Sequence, residues 1–254
     1  MKEIKISIVM PNYNGENFIY STINTFVNIP YYNKELIIVD GKSKDKSHDI
    51  IQGFVNIHEN IKWCKAEDVG ISDAINKGID LATGDVIGYI GSDDLINDDT
   101  FSIINKYKKN IDFDAIYFDS YTYYDKDKSI KLRKCPKIIF NKLNLIKYGT
   151  IVGLQNIFFD KKIYDQCRYN KSNKYSMDYE IYFDIVNKFT SFLYVEYPAT
   201  INIFHNNISN QFVKEQMKEA YSIAFKNSNL FERIILIKKL TLLFISKMLQ
   251  TFKF

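Results

Sequence analysis

Short β-branched runs alternate with longer amphipathic stretches through the first half of the chain. Lys5–Met10, Glu35–Asp40, Ile61–Ala66, Val86–Ile90 and Ala115–Asp119 read as strands, and Glu35–Asp40 is made mostly of Leu, Ile and Val, as a strand buried on both faces is. Between them, Glu16–Asn28, Lys46–Val55, a segment near Ser72–Ala82 and one near Thr100–Asn110 place apolar residues at helical spacing. Strands apolar on both faces, each followed by a helix, predict an α/β fold with a mostly parallel, Rossmann-like sheet covered on two sides. After Asp119 the rhythm changes. Tyr121–Lys134 reads as a hairpin around Asp125-Lys126-Asp127-Lys128, Gln155–Phe159 and Phe192–Tyr197 as further strands, and Asp178–Lys188 as a helix. No Pro/Gly-rich linker separates the halves. The expectation is one unit over 1–225, with 1–119 as its ligand-binding half and 120–225 as a second wall, followed by a basic amphipathic helix within 226–254.

In open α/β sheets, ligands sit beyond the carboxyl ends of the strands. Polar residues collect there: Asn12, Tyr13 and Asn14 after the first strand, Asp40 after the second, Glu67 and Asp68 after the third, Asp93 and Asp94 after the fourth. Adjacent carboxylates repel unless a positive charge lies beside them, so Ser92-Asp93-Asp94 suits a hard divalent cation whose shell a diphosphate completes. A turn followed by a helix cap is the competing reading. Asp40 suits acceptance from a nucleobase N–H, or capping of the loop that follows. Ser72 or Asp73 can begin a helix, which puts Lys77 one turn along, within reach of a phosphate or as an ordinary surface lysine.

Composition changes this picture little. Hydrophobic residues make up 46% and charged residues 25%, ordinary values for a globular chain, while 19 Tyr and 19 Phe mark either a biased genome or an aromatic binding surface. Charge is more informative. The net charge is +4, yet 226–254 alone carries six basic residues against Glu232, leaving the remainder near neutral. That asymmetry points to an anionic surface as partner for the tail and argues against nucleic acid binding by the whole domain. Cys64, Cys135 and Cys167 fit neither a metal spacing nor a disulfide framework, which suggests a reducing cytoplasm, and the amino terminus lacks an apolar signal region.

Four ordered segments resemble the signatures of family 2 glycosyltransferases: Ser7-Ile8-Val9-Met10-Pro11-Asn12-Tyr13-Asn14, Ile38-Val39-Asp40-Gly41-x-Ser43-x-Asp45, Gly70-Ile71-Ser72-Asp73-Ala74-Ile75-Asn76-Lys77-Gly78 and Ser92-Asp93-Asp94. The resemblance implies a GT-A fold and inverting transfer of a sugar from a nucleotide-sugar donor, with UDP the expected nucleotide. It implies a donor bound around Pro11, Tyr13, Asn14, Asp40, Asp68, Asp73, Lys77 and Ser92, with Asp93 near the ribose and Asp94 on Mn²⁺ or Mg²⁺. Met177-Asp178-Tyr179-Glu180 stands where such enzymes place the general base, which makes Asp178 the candidate. His205 is a second candidate near the metal, or a local hydrogen-bonding residue. Leu154-Gln155 replaces the usual His-Gln, and 166–172 lacks the usual Gly-Gly-Phe-Asp stretch, so acceptor identity is not legible. A glycan or lipid-linked acceptor in bacterial surface polysaccharide synthesis is the family expectation. A non-catalytic nucleotide-sugar-binding subunit and a sugar nucleotidyltransferase are the alternatives. The latter normally shows a basic Gly-rich loop after the first strand, where this chain has Pro11-Asn12-Tyr13-Asn14.

At 100° per residue, Leu230, Ile234, Ile237, Phe244, Ile245, Met248 and Phe252 share one face, with Lys238, Lys239, Lys247 and Lys253 mostly opposite. Charges interrupt the segment too often for a spanning helix. It suits the inner-leaflet surface of a membrane, the body of its own domain, or an oligomer contact.

Overall fold

A computed structural model describes residues 3–67, 70–204 and 212–238. β1 (Ile6–Asn12), β2 (Lys34–Asp40), β3 (Ile61–Lys65) and β4 (Val86–Tyr89) run parallel in the order β3-β2-β1-β4. Helices α1 (Ile19–Asn28), α2 (Ser47–Val55) and α3 (Ile71–Leu81) connect them. The uninterrupted apolar runs have a direct cause. Ile6, Ile8 and Met10 enter a core shared with Ile19, Ile23 and Phe26 of α1, while Val9 enters the opposite core with Ile75 and Ile79 of α3. β2 divides likewise, Leu36 and Ile38 to one side, Ile37 and Val39 to the other with Ala74. At Gly78 an added Cβ would lie 2.3 Å from a Val9 methyl, so α3 rests directly on β1.

The remaining strands extend the same sheet. β5 (Asp94–Ile96) is followed by α4 (Thr100–Asn110), then β6 (Ala115–Tyr124), β7 (Ser129–Arg133), α5 (Lys142–Tyr148), β8 (Ile157–Asp160), α6 (Met177–Val186), β9 (Phe192–Phe204) and α7 (Val213–Lys226). The order is β3-β2-β1-β4-β8-β6-β9-β5, with β7 on the edge of β6. β8 lies antiparallel between β4 and β6, β9 runs parallel to β6, and β5 pairs antiparallel with β9. This is the mixed α/β architecture that the alternation predicts, parallel in its first half and mixed in its second.

Boundaries differ where the pattern was weakest. The strand expected over Gln155–Phe159 begins at Ile157, because Leu154–Asn156 forms a 3-10 turn. β6 continues past Asp119 to Tyr124, and β9 continues past Tyr197 to Phe204, while the hairpin at Asp125–Lys128 pairs Ser120–Tyr124 with Ser129–Arg133, within a residue of the expected segment. β5, three residues long, and α5, seven, are too short for periodicity to register. A further helical stretch is described over 230–238. The consequence for ligands is that β1, β2 and β4 deliver their carboxyl ends to one edge, and the curl of β9 brings β5 to face them.

Candidate active site

At that edge lies a cavity of about 840 Å³, within the usual range for small-molecule sites. One wall is the segment after β1: Pro11, Asn12, Tyr13 and Asn14 all line it. Tyr13 is 62% exposed, a ring held open at the mouth. Asn14 adopts a φ of 53°, a left-handed turn that Asn tolerates because its short side chain bonds locally. Here its Oδ1 accepts from the Lys44 N–H at 2.8 Å, and its own N–H donates to Ser43 Oγ at 2.8 Å.

Asp40 organises this loop from beneath. It is fully buried and does not line the cavity. Its oxygens accept from Asn12 Nδ2 at 2.7 Å and from the Ser43 N–H and hydroxyl at 2.9 and 2.7 Å, and pair with His48 Nε2 at 2.8 Å. Burial alone would raise its pKa, but these donors outweigh burial and hold it below the usual range. The side chain that reaches the cavity is Asn12, which the sequence places at the strand end but not among the expected donor contacts. It is 4% exposed, and its Oδ1 is a buried acceptor with no hydrogen-bond partner among the described residues. Buried acceptors normally find a donor, so this atom suits an N–H or O–H of a ligand.

Opposite stands the acidic turn. Ser92, Asp93 and Asp94 line the cavity, and Thr22 Oγ1 fixes the turn by donating to the Ser92 carbonyl at 2.9 Å. Gly91 is required here, because a Cβ would meet Asp93 Oδ1 at 2.7 Å and Asp94 Oδ2 at 3.1 Å. The two carboxylates thus fold back over one backbone position. Burial first, and the Asp93 charge second, push the Asp94 carboxyl up to about 7. Asp94 Oδ1 accepts from the Ile203 N–H at 3.3 Å, and Asp94 forms no ion pair among the described residues. Among those residues no group of three or more His, Cys, Asp and Glu side chains converges. Two carboxylates without a closed cage suit an Mg²⁺- or Mn²⁺-like ion, which is commonly held by one or two carboxylates plus ligand phosphates. The residues present therefore fit such an ion.

A second cavity of about 600 Å³ adjoins the first, the two sharing Gly70, Ile71, Tyr89 and Gln155 as walls. Asp178 lines it from the first turn of α6. A helix amino terminus favours a carboxylate, but here burial dominates and lifts Asp178 to about 6 despite the Tyr179 N–H bound at 2.7 Å. Tyr89 stands between the cavities. Its ionisation is opposed by burial, then by Asp94, Asp93 and Asp178, so all three carboxylates act on one phenol. Tyr89 is absent from the sequence expectations, and Gln155 enters them only within Leu154-Gln155, the departure from the family's His-Gln. Only the strand-end position of Tyr89, two residues before Gly91, offered a signal.

Besides Asp40, two expected donor contacts, Asp73 and Lys77, do not line the cavities. The helix starts at Ile71 after Gly70, whose φ is 126°, and neither Ser72 nor Asp73 caps it. Ser72 is buried and donates to the Asn173 carbonyl at 3.2 Å. Asp73 is 5% exposed and pairs with Lys77 at 2.8 Å and Lys171 at 2.6 Å. Lys77 also donates to the Glu67 carbonyl, so its ammonium is committed to the protein. Asp68 and His205 lie outside the described residues.

The sequence matches Glycosyl transferase family 2 over residues 7–181, from β1 through Asp178. It is 33% identical over 117 residues to the minor teichoic acid biosynthesis protein GgaB of Bacillus subtilis strain 168, covering 43% of this chain and 13% of that protein's length. The structure is similar to the crystal structure of S. aureus TarS 1-349 in complex with UDP-GlcNAc, with a TM-score of 0.71 and 15% identity over 93% of this chain and 72% of that one. It is also similar to the mannosyltransferase PcManGT from Pyrobaculum calidifontis in complex with GDP-Man and Mn²⁺, with a TM-score of 0.67 and 14% identity over 92% and 69% of the two chains. These likenesses establish a GT-A fold. Since the matched segment runs through the β1 loop, the acidic turn and the start of α6, the chain belongs to glycosyl transferase family 2.

Proposed function

We propose that the chain is an inverting, metal-dependent glycosyltransferase that moves a sugar from a UDP-sugar to a hydroxyl of a glycan or lipid-linked acceptor in surface polysaccharide synthesis. The observation that carries this is the convergence of Asp93 and Asp94 in one cavity with Asp178 in its neighbour, across the shared wall of Tyr89 and Gln155. Two adjoining cavities with carboxylates of separate origin suit two substrates meeting at one bond. TarS with UDP-GlcNAc supports the nucleotide, PcManGT with Mn²⁺ the metal, and GgaB the glycan class.

In this reading Pro11, Asn12, Tyr13 and Asn14 hold the nucleotide, and Asp40 acts through Asn12 and Ser43 to set that loop. Asp93 faces the ribose, and Asp94 holds Mn²⁺ or Mg²⁺. When bound, the cation offsets the negative charge that develops on the departing diphosphate. Asp178 takes the acceptor hydroxyl's proton as that oxygen bonds to the anomeric carbon and the carbon–diphosphate bond breaks, a single displacement that inverts the centre. Its raised pKa brings a carboxylate closer to the strength a base needs near neutral pH.

We propose peripheral attachment at the inner face of the membrane through the carboxyl-terminal segment. No helix among the described residues is long and apolar enough to cross a membrane. Over 230–238, Glu232 and Leu236 are buried, whereas Leu230, Phe231, Ile234 and Ile237 are exposed beside Arg233 and Lys238. An outward apolar stripe flanked by basic residues suits an anionic interface.

The test is thermal unfolding with UDP, with and without Mn²⁺, combined with a transfer assay. Ligand that binds the folded state raises the midpoint. The expected result is a Mn²⁺-dependent rise in wild type that Asp94→Ala removes together with transfer. Wild-type transfer by Asp94→Ala would sink the metal assignment.

A further inference from the structure

One wall of the larger cavity comes from segments given no role so far: Thr122 on β6, Arg133 on β7, and Asn202, Ile203 and Phe204 at the end of β9. Strand register sets Thr122, Arg133, Asn202 and Phe204 on the same sheet face as Asp94. Asp94 pairs with Asn202, and Asn202 with Thr122; one row along, Ser120 pairs with both Thr200 and Arg133. Residues two apart on a strand share a face, so Asp94 and Arg133 look into the same space from strands three spacings, roughly 14 Å, apart. Both side chains line the one cavity, the aspartate at one pole and the arginine at the other.

Among the described residues lining this cavity, Arg133 is the only Lys or Arg. It is also oriented. One guanidinium nitrogen donates to the Tyr124 hydroxyl at 2.9 Å, and the Tyr124 ring packs against Phe204 with centroids 5.3 Å apart. That hydroxyl is its hydrogen-bond partner among the described residues, which leaves the other N–H groups of the fork for a ligand. The cleft is thus acidic at the turn and cationic at the hairpin. A ligand that bridges the two poles carries one anionic group neutralised by a cation at the carboxylates and presents anionic oxygens to a planar fork. A phosphate chain does both, and a guanidinium matches phosphate oxygens better than a lone ammonium does.

We propose that Arg133 binds the terminal phosphate of a nucleoside diphosphate, holding the donor's sugar-bearing phosphate and then the same phosphate as it departs. This rests on the nucleotide-sugar reading above.

Calorimetric titration of wild type, Arg133→Lys and Arg133→Ala in Mn²⁺ tests it, using UDP, GDP and dTDP and the matching monophosphates. For the diphosphate that wild type binds best, Arg133→Ala should weaken affinity roughly tenfold to a hundredfold, the worth of charge-assisted hydrogen bonds. Arg133→Lys should fall between, and affinity for the monophosphate should stay within about twofold. Arg133 is exposed on an edge strand, so the unfolding midpoint should not move, which separates a lost contact from a lost fold. Equal diphosphate affinity in wild type and Arg133→Ala overturns the assignment. Unchanged diphosphate binding with lost transfer also overturns it, since the contact would then lie with the acceptor. A wild-type protein that binds none of the three diphosphates would instead sink the nucleotide-sugar reading on which the inference stands.

Discussion

The Asp178→Asn substitution removes a charge while keeping the side chain's shape. Asp178 Oδ1 accepts from the Tyr179 N–H at 2.7 Å, a bond that an amide oxygen makes equally well. Burial lifts the carboxyl from 3.8 to about 6, so its ionised form costs the fold roughly 3 kcal/mol at most. Because the folded pKa lies above the unfolded one, the wild type has its full stability below about pH 4, loses it as pH rises through about 6, and is level above that. Asparagine does not titrate. The variant should therefore exceed wild type by up to about 3 kcal/mol at about pH 8, with the gap closing toward about pH 4. Urea unfolding at the two pH values measures this, provided the slope of stability against urea is unchanged. Over the same substitution, transfer should fall roughly a hundredfold to ten-thousandfold with UDP affinity retained. Wild-type transfer should rise about tenfold per pH unit up to about 6 and then level, as the free base accumulates. A variant no more stable than wild type at high pH, or a gain that persists on acidification, refutes the burial argument. Retained transfer refutes the base.

Three further outcomes follow from packing and charge. Gly78→Ala should cost about 1–3 kcal/mol of stability and so lower the melting temperature, because its Cβ would lie 2.3 Å from Val9 Cγ1, whereas Gly53→Ala in α2 meets nothing within 4 Å and should raise it. Glu35 is buried, which would raise its pKa, but Ser7, the Thr83 N–H, Lys5 and Lys62 bring it to about 2. That stability is present above about pH 4.5 and is lost as pH falls toward about 2, so acid titration should show Glu35→Gln already destabilised by about 1–3 kcal/mol at neutral pH, with the difference shrinking in acid. Replacing Phe231 and Ile234 by Asp should abolish sedimentation with anionic vesicles; unchanged sedimentation would refute the interfacial helix.

The parallel half of the sheet was legible because burial on both faces forces continuous Ile and Val, and the strand-end rule then located the β1 loop and the acidic turn. Side-chain roles were less legible. Asp40 reads from sequence as a ligand contact, yet it lies beneath the cavity and positions Asn12, because the side chain of a buried strand's last residue has a loop above it. Lys77 reads as a phosphate contact if Ser72 or Asp73 begins the helix. With the helix starting at Ile71, Lys77 and Asp73 become an i,i+4 pair and satisfy each other. The tail periodicity correctly grouped Leu230, Ile234 and Ile237, but helical spacing cannot say whether an apolar stripe faces the body, and the buried residues are Glu232 and Leu236. β5 and Arg133 left no local signal, since both are defined by pairing with distant strands.

The pairing of β5 with β9 also governs when the site comes into existence. Asp94 accepts from the Ile203 N–H, 109 residues later in the chain, and its strand is held in the sheet through Asn202, Ile201 and Thr200. At about 5–20 residues per second of synthesis, the acidic turn waits several seconds or more for its partner strand to be made. Long-range closure of this kind is also slow to fold. A nascent or truncated chain would thus own both carboxylates and the nucleotide loop without their mutual geometry. Competence for chemistry would arrive in one late step, when the far end of the sheet closes over the near one.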